Sequence, residues 1–182
     1  WKGRIGWAPT NGSLHAMITA MRQGWGEERT RDWLEGIVTN EPKAYAKNTP
    51  TVAAAGAGEI EVGFVNHYYL HRFIAEEGES FAARNYYTRA ADPGSVVLVA
   101  GVGLIQESDN KDLAKRFIRF LLSASGQQYF SAQTYEFPLN DSAKPNNLLP
   151  ALEDITKPSI DLGDLIDLAG TQDLLREVGA LP

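Results

Sequence analysis

At 182 residues, with 43% apolar and 22% charged side chains, the chain has room for one domain, or one and part of a second, and can bury a core. Its 17 Lys and Arg against 23 Asp and Glu leave a formal charge of −6, which excludes a nonspecific nucleic-acid binder with a basic face. The absence of cysteine excludes disulfide scaffolds, thiolate zinc sites and cysteine nucleophiles.

Trp1 to Trp7 reads as a strand entered without an initiating Met or polar leader, so the chain is expected to be a fragment or a processed product. Ile5 to Ala8 is apolar and stops at Pro9, which ends ladder pairing. The turn Thr10-Asn11-Gly12-Ser13 leads into Leu14, Met17, Ile18 and Met21 at helical spacing, with Asn11 or Ser13 as candidate cap and Gly24 and Gly26 closing the helix. A second helix is predicted from about Glu27 to Val38. A third begins near Thr49, with Pro50 as its first residue and Asn48 just before it. Glu59 to Val65 reads as a buried strand that runs through Asn66-His67-Tyr68-Tyr69 into a helix over Leu70–Ala75. Ser95 to Ile105 is predicted as a further strong strand. Its apolar run from Val96 to Ile105 is about half the ~20 residues of a bilayer span.

Beyond it, Asp109 or Asn110 is placed to cap a helix reaching Leu122 with Leu113, Phe117, Phe120 and Leu121 inward. Gly126–Gln133 forms another helix, and Tyr135–Asn140 is extended. Leu162–Val178 carries a last helical pattern broken near Gly170. Helices and strands alternate, so the fold class is α/β. No internal repeat, low-complexity tract or Ser/Gly linker interrupts the chain.

The Tyr68-Tyr69 pair is the sharpest candidate for chemistry. Neighbours in a strand point to opposite faces, whereas at a helix start they lie about 100° apart and both phenols can converge beyond the helix end. They then hydrogen-bond a polar ligand, coordinate a hard cation as phenolates, or simply pack. A free phenol has a pKa of about 10, so phenolate at neutral pH needs a strong cation such as Fe3+. The second pair, Tyr86-Tyr87, follows no strong strand and is assigned to surface packing. The turn Asn11-Gly12-Ser13 offers N–H groups, a hydroxyl and an amide at a helix start, and Asn48 and Asn66 add two amides at similar turns. Each alone reads more readily as a cap; together they suggest a pocket for a small anionic or polar ligand. His67 and His71 are four apart without a third ligand, which argues against zinc. The spacing of Asp161, Asp164 and Asp167 lacks a calcium loop and reads as capping. Gly101 and Gly103 lack the third glycine of a dinucleotide site.

Three segments in this order, Trp1-Lys2-Gly3-Arg4-Ile5-Gly6-Trp7-Ala8-Pro9-Thr10-Asn11-Gly12-Ser13, Val62-Gly63-Phe64-Val65-Asn66-His67-Tyr68-Tyr69 and Tyr135-Glu136-Phe137-Pro138-Leu139-Asn140, resemble the periplasmic ferric-ion-binding proteins, solute receptors of bacterial Fe3+ ABC importers. The resemblance implies a noncatalytic, two-lobed, periplasmic-binding-protein-like (type II) fold of three-layer lobes that closes on Fe3+ and delivers it to the importer's permease. It implies Tyr68 and Tyr69 as metal ligands, and Asn11, Gly12, Ser13, Asn48 and Asn66 around a synergistic anion, phosphate or carbonate. Whole members are about 300 residues, which implies that most of the N-terminal lobe, with further ligands such as His, Glu or Tyr, lies outside this chain or in a companion chain. Residues 1–98 and 150–182 are then expected to form the C-terminal lobe, and 99–149 the hinge crossing and a segment of the other lobe, its Val102–Ile105 run and Phe117/Phe120 helix short of covering. The implied location is the periplasm or the outer face of the cytoplasmic membrane, with or without a lipid anchor. The alternatives are a receptor for a sugar, polyamine or organophosphate, or an α/β enzyme using Tyr68 or His67 as acid or base.

Overall fold

A computed structural model describes residues 1–89 and 91–182, which fall into two compact units, Trp1–Leu98 with Thr156–Pro182, and Val99–Ile155. In chain order the first unit holds β1 (Ile5–Trp7), α1 (Gly12–Trp25), α2 (Glu27–Thr39), β2 (Lys43–Ala44), α3 (Asn48–Gly56), β3 (Val62–Gly63) and α4 (Tyr68–Glu77). The second unit holds α5 (Lys111–Leu121) and α6 (Ala124–Thr134), and α7 (Leu168–Glu177) again belongs to the first. No helix among the described residues is long and apolar enough to cross a membrane.

The three strands form one parallel sheet in the order β2-β1-β3. Side chains alternate along β1, and the alternation sorts the layers. Ile5 and Trp7 point to one face, where they join Leu14, Ile18 and Met21 of α1, Leu34 and Ile37 of α2, and Leu174 and Leu175 of α7 in the main core. Gly6 points to the other face, where α3 lies, and its register partner in β3 is Gly63. Both positions are too close to their neighbours for a side chain. A Cβ on Gly6 would lie 2.3 Å from Ile60 Cδ1, and one on Gly63 would lie 2.9 Å from Thr51 Cγ2 of α3. Helices therefore cover both faces of the sheet, in three layers. A smaller apolar cluster of Val52, Leu70 and Phe81 joins α3 to α4.

Most predicted elements form, with instructive departures. The strand expected over Glu59–Val65 narrows to Val62–Gly63, although the Glu61 and Phe64 amides still bond the carbonyls of Arg4, just before β1, and of Gly6 within it, at 2.8 and 3.2 Å. The strand expected over Ser95–Ile105 does not form. Pro93–Ser95 makes a 3-10 turn, no strand among the described residues pairs with the run after it, and Val99, Val102 and Ile105 are exposed. An apolar run becomes a strand only when a neighbour takes up its N–H and C=O groups. Leu113, Phe117 and Phe120 of α5, expected inward, are likewise exposed, so that helix carries an apolar face with nothing over it in its own unit. Within the second unit, the segment after α6 is tied down by polar side chains: Gln127 accepts from the Leu139 amide at 2.7 Å, and the Ser131 hydroxyl donates to the Lys144 carbonyl at 2.7 Å.

The final helical pattern breaks at Asp167 rather than near Gly170, which lies inside the first turn of α7. A side chain at Gly170 would strike the Asp167 carboxylate and the Arg22 guanidinium, at 2.4 and 2.7 Å. Those two groups fasten α7 to α1. Arg22 is paired to Asp167 at 2.9 Å and to Glu27 at 2.6 Å, and donates to the Thr171 hydroxyl at 3.0 Å. Beneath it the buried hydroxyls of Thr19 and Thr171 meet at 2.7 Å. The Gly170 amide, then Arg22, hold the Asp167 carboxyl below its ordinary 3.8. Its contribution is thus complete above that ordinary value and is lost as pH falls through the lower value it has when folded. The thermal midpoint of Asp167→Asn is expected to lie below that of the parent at pH 6, with the gap closing towards pH 2. A gap that stays constant across this range, followed by circular dichroism, contradicts the assignment.

Candidate functional site

In a parallel sheet the C-terminal strand ends lie side by side, so the turns that follow them open onto one edge. Here the turn after β1 carries Asn11 and Ser13, the turn after β2 leads to Asn48, and the turn after β3 carries Asn66. Hydrogen bonds join all four. Asn11 caps α1, its Oδ1 accepting from the Ser13 amide at 2.9 Å. The Ser13 hydroxyl reaches both the Asn11 Oδ1 and, at 2.6 Å, the Asn66 Oδ1. The Asn48 Nδ2 donates to the same Asn66 oxygen at 2.8 Å. One hydroxyl proton serves one acceptor at a time, so the two amide oxygens compete for Ser13. Gly12 is exposed at the first position of α1, where the early N–H groups of a helix have no intrahelical acceptor.

Asn48 differs from the expected cap. It is the first residue of α3, with Lys47 in the cap position, and its side chain crosses to Asn66 instead of serving its own helix. It is buried, at 3% exposed. The same turn cluster contains a buried histidine. His15, buried on α1, sets its Nε2 2.7 Å from the Pro9 carbonyl; that oxygen can only accept, so Nε2 carries the proton. This bond holds the turn preceding Asn11 against its helix.

The tyrosine pair opens α4. The rings of Tyr68 and Tyr69 lie side by side, their centres 4.7 Å apart and tilted by 32°. Tyr69 leans on the Val52–Leu70–Phe81 cluster, and its amide reaches back to the Asn66 carbonyl at 3.4 Å. The guanidinium of Arg72, one turn on, stands 6.0 and 5.7 Å from the two ring centres. His67 meets Tyr68 edge to face at 5.5 Å. The structure thus brings Asn11, Ser13, Asn48 and Asn66 into one network, with Tyr68 and Tyr69 starting two residues beyond its last member.

The other candidates sort themselves. No group of three or more His, Cys, Asp or Glu among the described residues is placed to hold a metal ion. His71 is buried, and burial followed by the proximity of His67 pushes it below the usual 6.5, towards the neutral form. Asp161 and Asp167 cap turns by accepting from the Gly163 and Gly170 amides at 2.7 and 3.1 Å. Tyr86 is exposed, but Tyr87 turns inward and lies 6.3 Å from the His67 ring. Sequence reasoning missed Asn85, whose Nδ2 donates to the His67 carbonyl at 2.8 Å.

Removing Asn66 leaves the buried Asn48 amide without its acceptor, which costs about 1–3 kcal/mol. Asn66→Ala is therefore expected to lower unfolding stability by about that amount, and the Asn48→Ala/Asn66→Ala pair to cost clearly less than the sum of the single changes. Additive effects in urea unfolding contradict the coupling.

The sequence pattern of the bacterial extracellular solute-binding proteins matches residues 1–161. A major ferric iron-binding protein of Neisseria meningitidis serogroup B is 33% identical across 98% of this chain and 54% of its own length. An Fe(3+)-binding periplasmic protein of Serratia marcescens is 30% identical across 100% of this chain and 54% of its own. Among solved structures, iron-bound HitA from Pseudomonas aeruginosa matches with a TM-score of 0.92 and 29% identity, over 98% of this chain and 58% of its own. The chain spans about half the length of the curated relatives it matches.

Proposed function

We propose that this chain, which belongs to the bacterial extracellular solute-binding proteins, supplies the tyrosine-and-anion half of a receptor that binds ferric iron and hands it to an ABC importer. Its α/β fold is that of the periplasmic-binding-protein-like lobes to which it is similar. One observation carries the reading: three strand-to-helix turns meet through Asn11, Ser13, Asn48 and Asn66 immediately before a helix that begins with paired tyrosines.

In this reading Tyr68 and Tyr69 are the metal ligands. Ionised phenols are hard, anionic oxygen donors suited to Fe3+, and the ion's charge displaces their protons at neutral pH. Asn11, Gly12, Ser13, Asn48 and Asn66 hold a synergistic anion, phosphate or carbonate, through backbone N–H groups, a hydroxyl and amides at a helix start. The anion competes with the Asn66 oxygen for the Ser13 and Asn48 donors, and Asn66 turns its own amide towards it. The work is binding without catalysis: closure of two lobes over the ion, then docking on the permease, in the periplasm or at the outer face of the cytoplasmic membrane. Residues 1–98 and 150–182 form the lobe that carries these groups, and residues 99–149 the hinge crossing and part of the opposite lobe. The exposed α5 face and Val102–Ile105 are the surfaces that the rest of that opposite lobe covers.

Ferric citrate added at neutral pH to the full-length receptor is expected to produce a broad visible charge-transfer band that Tyr68→Phe or Tyr69→Phe weakens. Absence of the band in the full-length protein overturns the iron assignment. Millimolar phosphate is expected to raise the thermal midpoint, by an amount that Ser13→Ala reduces. An unchanged midpoint overturns the anion assignment separately.

A further inference from the structure

The start of α4 has no side-chain cap. Its cap residue is His67, already in helical conformation at φ −56° and ψ −37°, and its side chain makes no capping hydrogen bond. The peptide that enters Tyr68 is nonetheless held, from outside the helix. Asn85 donates to the His67 carbonyl at 2.8 Å, and the Tyr87 ring lies 6.3 Å from the His67 ring, which in turn meets Tyr68 edge to face. Tyr86, between them, is 77% exposed, so the segment alternates inward and outward as an extended chain does.

This strap is pinned at both ends. Before it, the Arg84 guanidinium gathers the carbonyls of Glu79 at 2.8 Å, Ala83 at 2.6 Å and Phe81. After it, the buried Ser95 hydroxyl donates to the Thr88 carbonyl at 2.8 Å. Phe81 also stacks on Phe73 of α4 at 5.1 Å, which fixes the strap to the body of the helix it restrains. Among the described residues the Tyr87 hydroxyl is buried without a hydrogen bond of good geometry, the Asn85 amide approaching it while serving His67. A buried hydroxyl left unsatisfied costs stability, so the ring and not the hydroxyl accounts for a tyrosine-sized side chain here.

We infer that Asn85 and Tyr87 are positioning residues that hold the Tyr68-Tyr69 pair in ligating geometry before iron arrives. The inference rests on the reading of that pair as iron ligands. Fixing both rings in advance removes ordering cost from the binding step, so the strap acts on affinity and on the geometry of the bound phenolates. Tyr87→Phe keeps the ring and is silent, as is Tyr86→Leu on the solvent side, whereas Asn85→Ala and Tyr87→Leu release the helix start.

The test is titration of the full-length receptor and these four variants with ferric citrate, following the visible charge-transfer band, alongside iron-free thermal midpoints. Asn85→Ala and Tyr87→Leu are expected to bind about tenfold more weakly with a displaced band maximum, and Tyr87→Phe and Tyr86→Leu to match the parent. If the parent shows the band and Asn85→Ala keeps both affinity and maximum, the strap is overturned while the tyrosine assignment stands. Weaker binding that merely follows a lower iron-free midpoint, with the maximum unmoved, also overturns it, because that is general loosening of the fold. If the parent shows no band, the ligand assignment fails first and the strap's role falls with it.

Discussion

The close approach of α3 to the sheet rests on two glycines side by side. Gly6 and Gly63 are register partners on adjacent parallel strands, and together they leave a flat place where Ile60 and Thr51 lie nearer than a side chain would allow. A helix seated that low brings its first residue, Asn48, level with the end of β3, where Asn66 waits. Overpacked positions of this kind typically cost about 1–3 kcal/mol when filled, because neighbouring side chains must move. Thr51, which a side chain at Gly63 would strike, lies on the same helix as Asn48, so packing on this face of the sheet is linked to the polar network at its edge.

That network is satisfied within itself. The Asn66 oxygen draws in both the Ser13 hydroxyl and the Asn48 amide. Burying Asn48 without such a partner would be costly, so the protein keeps its donors aimed inward and engaged. Any ligand bound at this edge must exchange one set of good hydrogen bonds for another. Binding strength there depends on charge and on geometry more than on the number of bonds formed.

Local features were well marked in the sequence. The Asn11 cap, the periodicity of α1 and α2, and the Tyr pair at a helix start all depend on residues within a few positions of each other. The errors came where distant partners decide. Ser95–Ile105 has the composition of a strand but no strand beside it among the described residues. Asn48 looks like a cap because its true partner is 18 residues away and across a sheet. Gly170 reads as a helix breaker, yet it is a glycine because Arg22 and Asp167 fill the space above it. Asn85 and Tyr87 carried a usable signal, two residues apart in a polar stretch and so able to share one face, but nothing local pointed to His67 as their target.

The seating of α7 has a consequence for how the first unit is assembled in time. Leu174 and Leu175 are almost completely buried among side chains from β1, α1 and α2, and the Thr19–Thr171 bond closes a separation of 152 residues. Loop closure over such distances is slow compared with helix formation, and chains emerge from the ribosome at about 5–20 residues per second. Until α7 has been made, α1 presents Ile18, Met21 and the Arg22 cation with their covering absent. The core of the first unit is therefore sealed only once α7 has joined β1, α1 and α2.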